Sequence, residues 1–573
     1  MRITMLTFTS LLILACVVPH PSYAQETPEG SLIGKQIYDK SCAHCHGLEG
    51  RGDGSAAENL LPRPRDFTRG LYKIRSTESG QLPTDKDLFD IITVGMPGTS
   101  MPEWETSLDV KEREEVVKYI KTFYSGFQEN ENPPREISLD DKIPYSQESV
   151  EIGKDLYVEL GCVECHGKLG RGDGTSAPTL VDAWDFKTWP ANLTENWNFR
   201  GGSDSEDIFK RFIGGIAGSP MPAFQGDTFY HFGLTAEQSE QYATLEKKVE
   251  DGEELTTEEE ERAAQYFEIN DTAATAALDW AEGLEMSPET LKIYNDAMKV
   301  VYEKSWHLAN YVKSLSPEKR PDFAIGKHVL RSQYLQGELP ALTDETWNTL
   351  DYSYYPLIGQ IVVEPRQFNP SIDAVNVKSF YNDTEVAFLF SWDDKTHNTS
   401  EEENEETGKT YEDAIAIQFP VKPRKGPTDP KPYFIFGGRK PVYLWQWKAS
   451  APDTLTELTA KGINNVEEQE VQGDFAVESD YTDGRYMLWV KRSLKTDDKK
   501  DLQLDVATFV PIAFSVWDGG NGDIDTKRVI SSWYSFVLEP LPSTRRFIYP
   551  PLVALLSFGL LVGLRRIVQR RNS

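Results

Sequence analysis

A chain of 573 residues exceeds what one hydrophobic core can organise, so two to four domains are expected. Its hydrophobic content of 39% and aromatic content of 11% exclude a disordered chain. The net charge of -31 excludes nucleic acid as a partner, because phosphate binding needs a basic face; it implies solubility first and steering of a basic partner second.

The first predicted element is a signal peptide, Met1 to Ala24. Arg2 precedes an apolar run from Leu6 to Val18, and Ser22-Tyr23-Ala24 has the small-x-Ala form of a cleavage site. Cys16 lies inside the run, so Leu14-Ala15-Cys16 leaves lipoprotein processing as an alternative. An amphipathic helix carrying Gly34, Lys35 and Tyr38 then leads into Cys42-Ala-His-Cys45-His46-Gly-Leu-Glu-Gly-Arg-Gly-Asp-Gly54. Further along come Met96 and Gly98-Thr-Ser-Met101-Pro102, then a closing helix around Val116 to Ile120. Pro133-Pro134 marks a linker.

Beyond the linker the pattern repeats. Cys162-Val-Glu-Cys165-His166-Gly and Gly-Arg-Gly-Asp-Gly174 recur at an offset of 120 residues, and so does Gly218-Ser-Pro-Met221-Pro222. Gly153, Lys154 and Tyr157 match the leading helix. The closing helix has its counterpart in Leu308 to Val312, at an offset of 192. The second copy therefore holds an insertion of about 72 residues, roughly 235–304, rich in Glu and helix formers; it reads as a solvated helical excursion offering a docking surface. Ser316-Pro317 to Pro321 closes the copy.

Cys-x-x-Cys-His attaches haem because the two sulfurs bond the porphyrin vinyl groups and the adjacent His lies beneath the iron. A lone Cys-x-x-Cys also suits zinc or a redox dithiol, but the immediate His, the export signal and the duplication favour haem. The covalent anchors are Cys42, Cys45, Cys162 and Cys165, with His46 and His166 as proximal ligands. Met101 and Met221, each 55 residues beyond its His, are the expected sixth ligands. Met96 has no counterpart, since Ile216 stands there. The pattern resembles class I cytochrome c domains of the periplasmic dihaem type, at 30–130 and 148–316. With both irons carrying two protein ligands, outer-sphere electron transfer is expected rather than oxygen or peroxide chemistry. Arg75 and Arg200 are candidates for contacts to haem propionates, with solvated arginines as the alternative.

From about 321 to 541 short apolar runs alternate with turns rich in Gly, Pro, Asn and Asp, as in Glu385 to Trp392, Ala414 to Phe419, Pro441 to Trp447, Arg485 to Val490 and Phe509 to Trp517. This predicts an antiparallel β-sandwich. Trp392-Asp-Asp394, Tyr411-Glu-Asp-Ala-Ile-Ala-Ile-Gln-Phe-Pro420, Pro441-Val-Tyr-Leu-Trp-Gln-Trp-Lys448 and Trp517-Asp-Gly-Gly520 resemble the haem b-binding γ subunit of ethylbenzene dehydrogenase and related periplasmic molybdenum enzymes. That resemblance implies a Met and a Lys on a b-type haem between the sheets, with the Lys at Lys527. Phe436 stands where the Met is expected, and a phenyl ring cannot ligate iron. Either another donor such as Met487 or His328 serves, or the haem b is five-coordinate, or it is absent.

Finally, 547–564 is an uncharged stretch of 18 residues spanning ~27 Å as a helix, enough for a bilayer core. Arg565, Arg566, Arg570 and Arg571 come directly after it, which orients the C-terminus to the cytoplasm and the rest to the periplasm. The expected fold is thus multidomain: two mainly α cytochrome c domains, an all-β sandwich, one transmembrane helix. The resemblance implies an electron-transfer subunit docked on molybdenum and iron–sulfur subunits, exchanging electrons with soluble cytochromes, in a complex of nitrite oxidoreductase or nitrate reductase type. A stand-alone haem enzyme of peroxidase or thiosulfate-oxidising type, and a redox-linked binding module, are the alternatives.

Overall fold

The computed structural model describes residues 29–60, 62–129, 132–224, 234, 236–281, 284–317, 329–404, 408–421, 431–432, 435–469, 475–497, 501–541 and 545–571. The expected signal peptide, Cys16 and His328 lie outside them.

The first helical unit packs Glu29–Ser41 across Val110–Lys121, with Asp85–Val94 alongside. Each of the latter two starts in a capping box, Thr84 with Asp87 and Asp109 with Glu112, so its first backbone N–H groups are satisfied reciprocally. Where the first and last helices cross, a Cβ on Gly34 would lie 2.1 Å from the Glu115 carbonyl oxygen. The second unit repeats the crossing between Gln147–Glu159 and Pro288–Ser314, where a Cβ on Gly153 would lie 2.1 Å from the His307 carbonyl oxygen. Tyr38 meets Tyr119 at 5.3 Å and 61°, and Tyr157 meets Tyr311 at 5.3 Å and 60°. The duplication of spacing is therefore also a duplication of packing.

The insertion differs from its expected solvated form. It folds into Ala236–Glu250, Thr257–Ala281 and the first half of Pro288–Ser314, a helix that runs unbroken into the closing helix. Ala273, Ala276, Tyr294, Ala297, Met298 and Val301 are buried in the second unit's core. Small and apolar residues spaced three and four apart on one face produce that stripe, while the Glu-rich faces stay wet. Trp280 Nε1 donates to Glu78 Oε2 of the first unit at 2.9 Å, under the Arg135 guanidinium.

The C-terminal domain is a sandwich of two sheets. Val466–Glu468, Leu455–Ala460, Val442–Lys448, Ala414–Pro420 and Val510–Trp517 pair in one; Ala374–Tyr381, Glu385–Asp393, Arg485–Ser493 and Phe475–Thr482 pair in the other. Val329–Tyr334 and Tyr534–Leu538 join them, and Val329–Tyr334 runs parallel to both of its neighbours. The expected all-antiparallel sandwich is corrected there: the chain enters from the helical domains and lays this strand into the seam without a hairpin partner. Trp392, Trp445 and Trp447 are buried among Phe388, Phe390 and Tyr486. Trp445 and Trp447 share a face because side chains alternate with period two.

Arg545–Arg571 forms one helix, exposed along Tyr549–Arg570 and long and apolar enough to cross a membrane.

Candidate functional site

The two Cys-x-x-Cys-His motifs form matching short helices, Ala43–His46 and Cys162–His166. The four thiols are unpaired. Burial pushes Cys42 up to about 12 and Cys162 up to about 11, the reverse of what a redox dithiol requires. Burial also lowers His46 and His166, keeping both imidazoles neutral. His46 Nδ1 lies 3.1 Å from the Arg65 carbonyl oxygen and His166 Nδ1 lies 3.1 Å from the Ala191 carbonyl oxygen. A carbonyl only accepts, so Nδ1 carries the proton and Nε2 keeps its lone pair for a metal. Phe67 stacks on the His46 ring at 4.6 Å. Gly52 and Gly172 sit at φ +72° and +82°; a Cβ on them would meet the Pro64 and Pro190 carbonyls, which precede the two accepting residues.

Met101 and Met221 occupy equivalent turns. Met96 N donates to the Met101 carbonyl at 3.1 Å, and Ile216 N to the Met221 carbonyl at 3.3 Å. Thr99 and Ser219 hydroxyls accept from the two Met N–H groups. A cavity of about 710 Å³ brings Cys162, Cys165, His166, Met221 and Arg200 together. The first helical unit contributes Lys73 and Gly98 to its wall, and the sandwich contributes Leu357, Asp373 and Lys395. Buried donors without hydrogen-bond partners face this region: Trp189 Nε1, and Arg211 Nε and Nη1. Near the first motif, Arg65 Nη1, Tyr72 Oη and Trp104 Nε1 are also unsatisfied. Unsatisfied buried donors are costly, and propionate carboxylates would satisfy them, so the residues fit a haem. Beside the cavity, burial and then the charges of Asp373 and Asp393 push Glu195 up to about 8, so it holds a proton at neutral pH.

Arg65, Trp184 and Lys395 belong to no motif, yet all three stand at the site. Arg65 stacks on Trp184 at 4.3 Å, and Arg69 stacks on it at 5.0 Å and donates to the Ala183 carbonyl at 3.0 Å. The same Arg65 that orients His46 thus clasps the second unit. The matching pairs Pro64-Arg65 and Pro190-Ala191 are the one sequence signal that marks these positions.

Arg75 is placed differently from its expected propionate contact. Its guanidinium donates to the carbonyls of Tyr72, Glu78 and Gly214, which makes it a clasp between the helical units. Lys527 Nζ donates to the Asn521 and Gly522 carbonyls at 2.7 and 3.1 Å and stands 3.6 Å from Asp523. An ammonium so engaged has no lone pair for iron. Phe436, at φ +52°, packs under the Arg528 guanidinium at 3.8 Å.

Residues 32–120 match the family model described as cytochrome C oxidase, cbb3-type, subunit III, and residues 344–473 match that described as ethylbenzene dehydrogenase. A protein of Haloferax mediterranei named as a putative respiratory nitrate reductase heme subunit is 27% identical over 200 residues, covering 35% of this chain and 68% of that protein. The cbb3-type cytochrome c oxidase subunit CcoP of Helicobacter pylori is 23% identical over 145 residues, 24% of this chain and 38% of the relative's length. Among solved structures, a chain of the Kuenenia stuttgartiensis reducing HAO-like protein complex is 29% identical with a TM-score of 0.36, covering 50% of this chain and 96% of its own. A family 9 carbohydrate binding module from Caldicellulosiruptor kristjanssonii is 11% identical with a TM-score of 0.22, covering 38% of this chain and 97% of its own.

Proposed function

From a chain that joins a cytochrome c module to an ethylbenzene dehydrogenase-type domain, we propose an electron-transfer subunit of a respiratory oxidoreductase, anchored in the membrane by its C-terminal helix. It binds haem, and the proposed complement is two haem c per chain. Cys42 and Cys45, then Cys162 and Cys165, hold them covalently; His46 with Met101 and His166 with Met221 supply the axial ligands. Bound there, the groups supply one-electron exchange without bond making. The protein's part is to orient each imidazole through Nδ1, keep water away, and offer Arg200, Arg211 and Trp189 to the second site's carboxylates. The observation that carries this function is the duplicated site with its His Nδ1–carbonyl pair, opened by the second copy onto a cavity walled by the sandwich. Lys527 and Phe436, otherwise engaged, are assigned no iron, and Met487 and His328 stay as the alternative donors for a haem b.

The helical units and the sandwich are assigned to the periplasm, with the C-terminal arginines in the cytoplasm. The partners proposed are molybdenum and iron–sulfur subunits of a nitrate reductase or nitrite oxidoreductase type complex, together with soluble cytochromes. Affinity purification from native membranes tests this directly. Stoichiometric molybdenum and iron–sulfur subunits are expected to travel with the chain. Recovery of the chain alone, with a high-spin ferric signal and peroxidase turnover, would support a stand-alone enzyme instead.

A further inference from the structure

The sandwich carries a group of residues that haem binding does not use. Asp394 comes just after the strand Glu385–Asp393, Asp413 precedes Ala414–Pro420, and Asp518 comes just after Val510–Trp517. These three strand ends meet at one end of the sandwich, where carboxylate oxygens of the three residues lie within 4.8 Å of one another. Their relative exposures are 1%, 0% and 2%.

Three buried carboxylates this close repel one another and have lost their hydration. The donors around them are neutral. Asp413 accepts from Gly519 N, Asn398 N and the Tyr486 hydroxyl; Asp518 accepts from Asn521 N and the Ser371 hydroxyl; Asp394 Oδ1 accepts from Thr396 N. Among the described residues no salt bridge reaches any of the three. Lys527 answers Asp523 instead, and Lys187 and Lys395 act on Asp518 only at longer range.

A second observation is independent of the clustering. Asp394 Oδ2 is buried with no hydrogen-bond donor, and so are the side-chain oxygens of Thr396 and Asn398. A Cβ on Gly520 would lie 2.1 Å from Thr396 Oγ1 and 2.9 Å from Asn398 Oδ1, so those two oxygens converge beside the loop after Asp518. Asp394 Oδ2 and Asn398 Oδ1 only accept, and the Thr396 hydroxyl keeps lone pairs free, so a cation would fill all three at once.

We propose that Asp394, Asp413 and Asp518, with Thr396 and Asn398, form a buried calcium site that pins three strand ends of the sandwich together. All the donor atoms are hard oxygens, from carboxylates, an amide and a hydroxyl. Calcium takes six to eight such ligands at about 2.3–2.6 Å, so oxygens up to about 5 Å apart can share one ion. Magnesium demands a tighter octahedron and keeps its waters, for which carboxylates exposed by only 0–2% leave little room. Zinc prefers nitrogen and sulfur, and neither is present. The site also borders the haem cavity: Asp393 and Lys395, on either side of Asp394, line its wall together with Asn521.

The test uses the full-length, haem-loaded protein in detergent. Metal analysis after exhaustive dialysis against calcium-free buffer should find one calcium per chain. Unfolding of the sandwich, monitored by tryptophan fluorescence, should shift down by several degrees in EGTA and recover with added calcium but not with magnesium. Asp394→Asn keeps the shape and removes one charge; it should lose the bound calcium and the EGTA sensitivity together. Thr396→Val should weaken calcium binding and serves if the first variant fails to fold. A wild-type protein without calcium, melting identically in EGTA and in calcium, would overturn the proposal and leave protonated carboxyl groups sharing hydrogen bonds. Unaltered calcium binding in both variants would overturn it equally.

Discussion

Gly153→Val is expected to unfold the second helical unit at temperatures where the native protein is intact. The valine Cβ would stand 2.1 Å from the His307 carbonyl oxygen and 2.7 Å from Tyr311 Cβ. Both belong to Pro288–Ser314, a helix held on its other faces by Phe209, stacked on its own Trp306, and by Ala273 and Ala276 of Thr257–Ala281, so it cannot withdraw cheaply. Overpacking against backbone of this kind costs on the order of 3 kcal/mol, about 6–12 °C in the midpoint for a unit of this size. Circular dichroism and the loss of one haem signal on heating measure it. Gly34→Val should do the same to the first unit, against the Glu115 carbonyl. A change below ~1 kcal/mol in either variant would contradict the helix crossing.

Met221→Ala is expected to remove the far-red thioether–iron band from one of two haems and to leave the other untouched. Thioether sulfur favours ferrous iron, so its loss lowers that site's potential on the order of 0.1 V, within the ~0.8 V range over which axial ligands act. Met101→Ala should have the corresponding effect on the other site, since both methionines hold the same turn and the same hydroxyl contact. Spectroelectrochemistry separates the two. If neither substitution alters ligation, the sixth ligands lie elsewhere.

The helical units were legible because covalent haem attachment demands fixed residue types at fixed spacing, and two copies at one offset exclude accident. Spacing carries no such information about clasps between domains. Arg75 and Arg65 are both arginines near a motif, yet one ties two carbonyls of its own unit to the Gly214 carbonyl across the interface and the other lies against Trp184. Telling them apart needs the relative placement of the units, which no local pattern encodes. The insertion reads as solvated because its Glu content dominates composition, whereas its burial rests on a few small residues such as Ala273 and Ala276 at helical spacing. The strands were visible from their alternation, but the parallel seam at Val329–Tyr334 was not, because period-two patterning is silent on direction. Asp394, Asp413 and Asp518 are distant in sequence and meet only because three strand ends share one edge.

Porphyrin bonded through thioethers at two duplicated sites would be seen in the haem content of the natively produced chain. Intact-mass measurement with a pyridine haemochrome assay should give two haem c per chain and no titratable thiol at Cys42, Cys45, Cys162 or Cys165. Free thiols at those four positions, with the mass of the bare polypeptide, would contradict it.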